Sequence, residues 1–203
     1  MLSIPITKDH FVCKILTKAE VCYLPEFNLK KKHLKKGAAG VLKYLRLVDA
    51  YGTYWGSQAL VDNKNNSSKT YLVFNNKAKK CKLCAFFTLK PGLVPFQTNG
   101  NDFETTAAIE LVNFAVNANY KSKLKKQIGA MTFADFIMPL VKEVQQIVGA
   151  QILYIYALPI PKLIQNYKNN YLFNQLTTAE EAFVHSHVKP EYDKKCQFMY
   201  MHI

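Results

Sequence analysis

The stretch Lys121-Ser122-Lys123-Leu124-Lys125-Lys126-Gln127-Ile128-Gly129-Ala130-Met131 sets four lysines and a glycine directly before an amphipathic segment. A helix N-terminus carries unpaired backbone N–H groups and partial positive charge, so residues of this kind suit a phosphate-bearing ligand. A lysine-rich loop is as often a solvated turn, and spacing alone does not choose between the two. Glu110 is the only carboxylate in the apolar run Ile109–Val116. A carboxylate on a central strand is either an outward-facing surface group or a proton acceptor. Cys81 and Cys84 have metal or redox spacing, but positions three apart at a strand entrance face opposite sides and no second Cys or His pair completes a zinc set. His185 and His187 would share one face of a strand, with no acidic or cysteine partner apparent, so a surface strand is expected rather than a metal site.

These groups need elements to hold them. Ile109–Val116 and Ile152–Leu158 are short, β-rich and almost continuously apolar, as strands buried on both faces are. Between them Phe133, Phe136, Ile137, Leu140, Val141, Val144, Ile147 and Val148 recur at steps of three and four, with Lys142, Glu143, Gln145 and Gln146 on the other side. That pattern predicts a helix with one buried face, started by Thr132 with Asp135 and kinked or divided at Pro139. Strand, helix, strand at this length is a βαβ unit with parallel strands. Upstream, 70–74 and 83–89 read as a hairpin closed by Pro91-Gly92, 51–55 and 62–69 as loop, and 28–48 as a basic segment leading into an amphipathic helix. Downstream, 162–170 predicts a short helix, and 182–185 and 196–203 two more strands beside the 152–158 strand. The fold class is α+β, a mixed, mostly antiparallel sheet with a central parallel pair and helices on both faces.

The order of a Glu-Leu-x-x-Phe-Ala-Val strand, a basic loop with glycine before a helix, a Tyr-x-Ala-Leu strand and a helix with Leu-Ile-x-x-Tyr resembles the GCN5-related N-acetyltransferases. Phe86-Phe87-Thr88-Leu89 is similar to that family's third strand. The resemblance spans roughly 70–203, with 1–69 as a variable N-terminal part of one domain covering 1–203. It implies acetyl-CoA as acyl donor in the splay between the two parallel strands. Its pantetheine arm would pair with backbone at Phe114, Ala115 and Val116, and its pyrophosphate would lie on Lys125, Lys126, Gln127, Ile128, Gly129, Ala130 and Met131. The family's loop carries more glycines; here Gln127 stands at the first glycine and Leu124 at the Arg/Gln position. Tyr167 matches the tyrosine that protonates the departing thiolate, and Glu110 stands where similar members place a base. No metal is implied.

The formal net charge of +13, from 27 Lys and Arg against 14 Asp and Glu, points to anionic partners, while scarce arginine argues against bidentate base reading. The resemblance implies an unidentified primary amine as acceptor, a small amine or a protein amine or, as in toxin-type members, the amino group of aminoacyl-tRNA. A catalytically silent module of the same fold that binds nucleic acid or protein is the rival. With 49% hydrophobic residues the chain is globular. Neither a signal peptide nor a membrane-length apolar run is present, and an odd number of scattered cysteines fits reduced thiols, so a cytoplasmic protein is expected. A homodimer is compatible with the sequence.

Overall fold

A computed structural model of the chain describes residues 6–30, 38–48, 54–79, 82–98, 102–120, 127–187 and 196–203. Its strands are β1 (Ile6–Lys8), β2 (Phe11–Ile15), β3 (Leu47–Val48), β4 (Tyr54–Gly56), β5 (Lys69–Asn75), β6 (Leu83–Gln97), β7 (Phe103–Val116), β8 (Ile152–Ala157), β9 (Asn174–Gln175) and β10 (Gln197–His202). Its α-helices are α1 (Ala39–Leu45), α2 (Gln58–Lys64), α3 (Ile128–Met131), α4 (Met138–Val148), α5 (Pro161–Tyr171) and α6 (Thr178–His187), with a 3-10 turn at Val21–Glu26 and a π-helical segment at Thr132–Ile137. Eight strands hydrogen-bond in the order β1-β2-β5-β6-β7-β8-β10-β9, and β3 pairs with β4. β7 and β8 are parallel, whereas β1–β2, β2–β5, β5–β6, β8–β10 and β10–β9 are antiparallel. This is the α+β arrangement expected from the sequence. The chain forms two compact units, residues 1–89 with 113–137 and residues 90–112 with 138–203.

The first unit is organised by the predicted hairpin. β5 and β6 run antiparallel from Lys69↔Leu89 to Phe74↔Leu83. Their side chains are buried almost throughout, with Phe27 edge-on to Phe86 and Tyr71 stacked on Phe87. The buried Thr70 and Thr88 hydroxyls satisfy each other across the strands at 2.8 Å. The polar tract read as a loop instead begins as α2. Ser57 caps it by accepting from Leu60 N–H, and Asn63 turns inward to donate to the Leu16 and Thr70 carbonyls and accept from Thr70 N–H. A tract rich in Asn and Lys hides a helix because its one structural asparagine looks like the exposed ones. At the end of β7, Asn117 donates to the Leu83 and Glu26 carbonyls and accepts from Asn28 N–H, which ties the 26–28 segment to β6.

The predicted amphipathic helix is divided. α3 gives way to a π-helical segment, and regular α-helix resumes at Met138, with Pro139 at its second residue. Proline lacks the N–H that an uninterrupted α-helix would direct at the Asp135 carbonyl, and it is tolerated where a helix starts. The expected Thr132–Asp135 cap does not form. Thr132 has helical backbone angles and is fully buried, and its hydroxyl has no partner among the described residues.

In the second unit, Val94, Ala108, Ile152, Tyr154, Val184 and Phe198 form the core. β10 covers the whole of β8, from Gln197↔Ala157 to His202↔Ile152. Two expectations are corrected here. Residues 182–185 belong to α6, not to a strand, so no hairpin forms there; β10 instead pairs antiparallel with β8 on one side and with β9 on the other. Pro91-Gly92 does not end its strand, since β6 continues to Gln97 with Pro91 at an exposed position where a missing N–H costs little. On α4, Leu140 and Val141 are buried, while Ile147 and Val148, assigned to the same face by periodicity, are exposed in its last turn. α5 starts with Pro161 and ends at Leu172 in the left-handed conformation, φ 60°, whose N–H caps the Tyr167 carbonyl.

Candidate active site

Within the second unit the parallel ladder between β7 and β8 has three pairs, Ala108↔Ile152, Ile109↔Leu153 and Glu110↔Tyr154, and ends there. Glu110 thus marks the last rung. Its side chain is half-buried, and its Oε2 accepts a hydrogen bond of 3.3 Å from the Tyr154 hydroxyl. Tyr156, two residues further along β8 and therefore on the same face, feels the same carboxylate. Burial first, and the Glu110 negative charge second, push its hydroxyl pKa up, so it stays neutral. The sequence marked Glu110 but not these tyrosines. Their i, i+2 spacing was legible, whereas the register that sets them beside Glu110 was not.

Tyr167 lies on α5, buried, with its ring 5.7 Å from Tyr171 and edge-on to Phe173 at 5.6 Å. Burial, with Tyr171 as the smaller cause, pushes its phenol pKa up, so the hydroxyl is protonated at neutral pH. Its backbone carbonyl also receives the N–H of Phe173. Tyr167 is thus at once an aromatic packing residue and a protonated phenol able to give up a proton.

The residues expected to hold acetyl-CoA belong to the first unit. Phe114, Ala115 and Val116 are half-buried at the end of β7, with the Phe114 ring 6.5 Å from Phe133. Lys125 and Lys126, with the rest of 121–126, lie outside the described residues. Gln127 begins α3 and is exposed, as is Ala130; Gly129 and Met131 are half-buried, and Ile128 is buried. The Met131 N–H bonds the Gln127 carbonyl at 2.9 Å, and no side chain caps this end. The N–H groups before Met131 therefore form the uncapped start of a helix. Near this end of the unit Asn113 Nδ2 on β7 and Thr132 Oγ1 just beyond α3 are buried polar atoms with no hydrogen-bond partner among the described residues. Asn113 was not marked by the sequence, where it reads as one polar residue in an apolar strand.

Cys84 is buried and Cys81 lies outside the described residues. His185 and His187 are on a helix, where i and i+2 do not share a face. His185 instead approaches Glu181, 3.6 Å away, and the Tyr156 ring, 5.7 Å away. Among the described residues no group of three His, Cys, Asp or Glu side chains is arranged to hold a metal, and no helix is long and apolar enough to cross a membrane.

Solved structures resemble the whole chain. AtaTR bound with AcCoA superposes with a TM-score of 0.62 at 14% identity, over 96% of this chain and 95% of that one. The chain has the fold of the GCN5-related N-acetyltransferases. AtaT complexed with acetyl-methionyl-tRNAfMet gives 0.60 at 14% identity over 95% and 94%. A Tyr-to-Phe mutant of the AtaT toxin, bound to the C-terminus of the antitoxin AtaR and acetyl-CoA, gives 0.58 at 14% over 96% and 94%. No protein-family model matches the sequence, and no curated protein does. In this fold the three-rung parallel pair ending at Glu110↔Tyr154 is the splayed pair expected from the sequence.

Proposed function

We propose that residues 1–203 form one acetyltransferase domain that moves an acetyl group from acetyl-CoA to a primary amine, with the α-amino group of an aminoacyl-tRNA as the acceptor class. The observation that carries this reading is the β7–β8 ladder that stops at Glu110 in a chain whose fold is shared, over nearly its whole length, with a structure bound with AcCoA. The tRNA acceptor is supported by the complex of AtaT with acetyl-methionyl-tRNAfMet and by the net charge of +13. A cytoplasmic location suits that acceptor.

The residues present fit the cofactor. The uncapped N–H groups from Ile128 to Ala130 suit a pyrophosphate, and Asn113 Nδ2 is a buried donor in need of an acceptor. Lys125 and Lys126 add attraction that salt screens. When bound, acetyl-CoA supplies a thioester carbonyl that a free amine attacks, with loss of the thiolate. Glu110 takes the proton that an ammonium must shed before its nitrogen has a lone pair. Tyr167, held neutral, keeps the proton that the leaving sulfur requires. Overall one ammonium and one thioester give one amide, one thiol and one released proton.

The test is transfer of labelled acetyl from acetyl-CoA to charged tRNA, against small amines and protein amines. Label on the aminoacyl group, with turnover reduced about 100-fold or more in Tyr167→Phe while acetyl-CoA binding persists, is the expected result. Label on small amines but never on charged tRNA would overturn the acceptor class. Full turnover in Tyr167→Phe would leave Tyr167 with its packing role alone.

A further inference from the structure

Half of the chain's 26 lysines fall in three stretches that lie far apart in sequence, 30–36, 77–82 and 121–126. The first unit ties the roots of all three together in one hydrogen-bonded junction. Asn117, fully buried, is its centre. Its N–H donates to the Cys84 carbonyl at 2.7 Å and its Nδ2 to the Leu83 carbonyl at 2.8 Å, just beyond Lys82. Its Oδ1 accepts from Asn28 N–H at 3.0 Å, two residues before Lys30. Ala118 N–H returns to the Asn28 carbonyl at 2.7 Å, and Asn119 Nδ2 reaches the Glu26 carbonyl at 3.0 Å.

The third root is Tyr120, buried and next in sequence to Lys121. Its hydroxyl oxygen accepts from Asn75 Nδ2 at 2.7 Å. Asn75 in turn closes the 75–82 turn, where its N–H donates to the Lys82 carbonyl at 2.9 Å and its Oδ1 accepts from Lys77 N–H at 2.9 Å. Buried polar groups with satisfied partners fix the backbone they bind. Lys30, Lys77, Lys79 and Lys82, all exposed, therefore leave from one fixed base and define the face. The other lysines of the three stretches lie outside the described residues. The β1–β2 turn joins through Asn76 N–H, which donates to the His10 carbonyl at 3.0 Å, and adds Lys8 with Asp9; Glu26 is the second carboxylate on these segments.

What such a face can hold follows from its side chains. The large hydrophobic residues exposed among the described residues are Val61, Leu93, Phe103, Ile147, Val148 and Leu172, and none of them stands on these segments. A protein partner draws its binding energy from apolar and aromatic anchors at the centre of an interface, whereas a nucleic-acid backbone is held by ammonium groups and neutral donors alone. The exposed Asn76 side chain is such a donor. The three lysine stretches carry no arginine, the residue that reads guanine through paired bonds, so the face follows phosphates and not base sequence.

We propose that the junction of Asn117, Tyr120 and Asn75 assembles a lysine face for the phosphodiester backbone of RNA. The choice of RNA rests on the acetyltransferase reading, in which tRNA carries the acceptor amine; the phosphate chemistry does not.

The test measures binding of end-labelled, uncharged tRNA to the full-length protein by fluorescence anisotropy from 50 to 200 mM salt. Replacing Lys30, Lys77, Lys79 and Lys82 together by glutamine is expected to raise Kd about tenfold or more at low salt and to flatten the log–log slope by about 2–3. Replacing Lys64, Lys142, Lys162 and Lys168, exposed lysines elsewhere, removes the same charge and is expected to leave the slope in place. An unchanged slope in the first variant, or an equal loss in the second, overturns the face. Tyr120→Phe changes no charge and should raise Kd about threefold with the slope kept; an unchanged Kd in the folded variant overturns the part of the junction. Poly-glutamate that displaces tRNA at equal charge would assign the face to an acidic protein and overturn the proposal, and a DNA duplex bound as tightly as tRNA would overturn the choice of RNA. Absence of acetyl-CoA binding with these slopes intact would instead overturn the acetyltransferase reading alone.

Discussion

Tyr167 carries both a chemical and a structural expectation, and pH separates them. Burial raises the pKa of its phenol in the folded chain, while the unfolded chain ionises near the ordinary tyrosine value of about 10. Below that pH the two states hold the same proton and the folded state keeps its full stability. Above it the unfolded state sheds the proton first, so stability is lost as pH rises toward the folded pKa. Urea unfolding should accordingly show a midpoint falling between pH 9 and about 11, less steeply in Tyr167→Phe. Thr132 gives a second residue-scale test. Its buried hydroxyl has no partner among the described residues, so Thr132→Val should stabilise the protein by about 1 kcal/mol, seen as a rise in Tm of about 2–4 °C. Among single residues, the sequence marked those with a chemical signature of their own, Glu110 as the sole strand carboxylate and Tyr167 as a motif match. It missed those whose meaning comes from a neighbour: Tyr154 matters through a strand register, and Asn113 through burial.

At the scale of elements, legibility followed the strength of the period. β5, β8 and β10 are runs rich in apolar and aromatic residues that lie where the pattern put them, and β7 contains the expected 109–116 run but begins earlier, at Phe103. α6 was read as a strand because Ala182-Phe183-Val184 has strand composition. The better signal was upstream: Thr177 and Glu180 form a reciprocal cap, with Glu180 accepting from Thr177 N–H at 2.8 Å and Thr177 Oγ1 accepting from Glu180 N–H at 3.3 Å. A Thr-x-x-Glu pair announces a helix even before a strand-like sequence. The other end of an element supplies the stability prediction. Leu172 closes α5 in the left-handed region and leaves its large apolar side chain exposed, a position that favours glycine. Leu172→Gly should therefore raise stability by up to about 1 kcal/mol, or about 2–4 °C in Tm, where glycine inside a helix would lower it.

For the whole molecule, the βαβ pattern told the α+β class and its parallel pair, and the order of motifs resembling the acetyltransferase family indicated the fold. What it did not disclose is that the residues assigned to the cofactor and those assigned to catalysis belong to different compact units of the chain, 113–137 to the first and 90–112 with 138–203 to the second. Contiguity in a motif hides such a division, because β6 and β7 each run through both units as single strands. The charge of +13 makes its own prediction. Binding of tRNA should weaken by about tenfold or more between 50 and 200 mM salt, through release of condensed counterions, and the log–log slope should flatten when Lys121, Lys123, Lys125 and Lys126 are replaced by glutamine. A slope unchanged by those four substitutions would move the tRNA-binding face elsewhere on the chain.

The most direct test of the central claim is calorimetric titration of the purified protein with acetyl-CoA, beside CoA and a nucleotide control, at two salt concentrations. Saturable binding of acetyl-CoA that survives the higher salt is the expected result. No heat of binding at millimolar acetyl-CoA would contradict the acetyltransferase reading and leave a chain that keeps this fold for another partner.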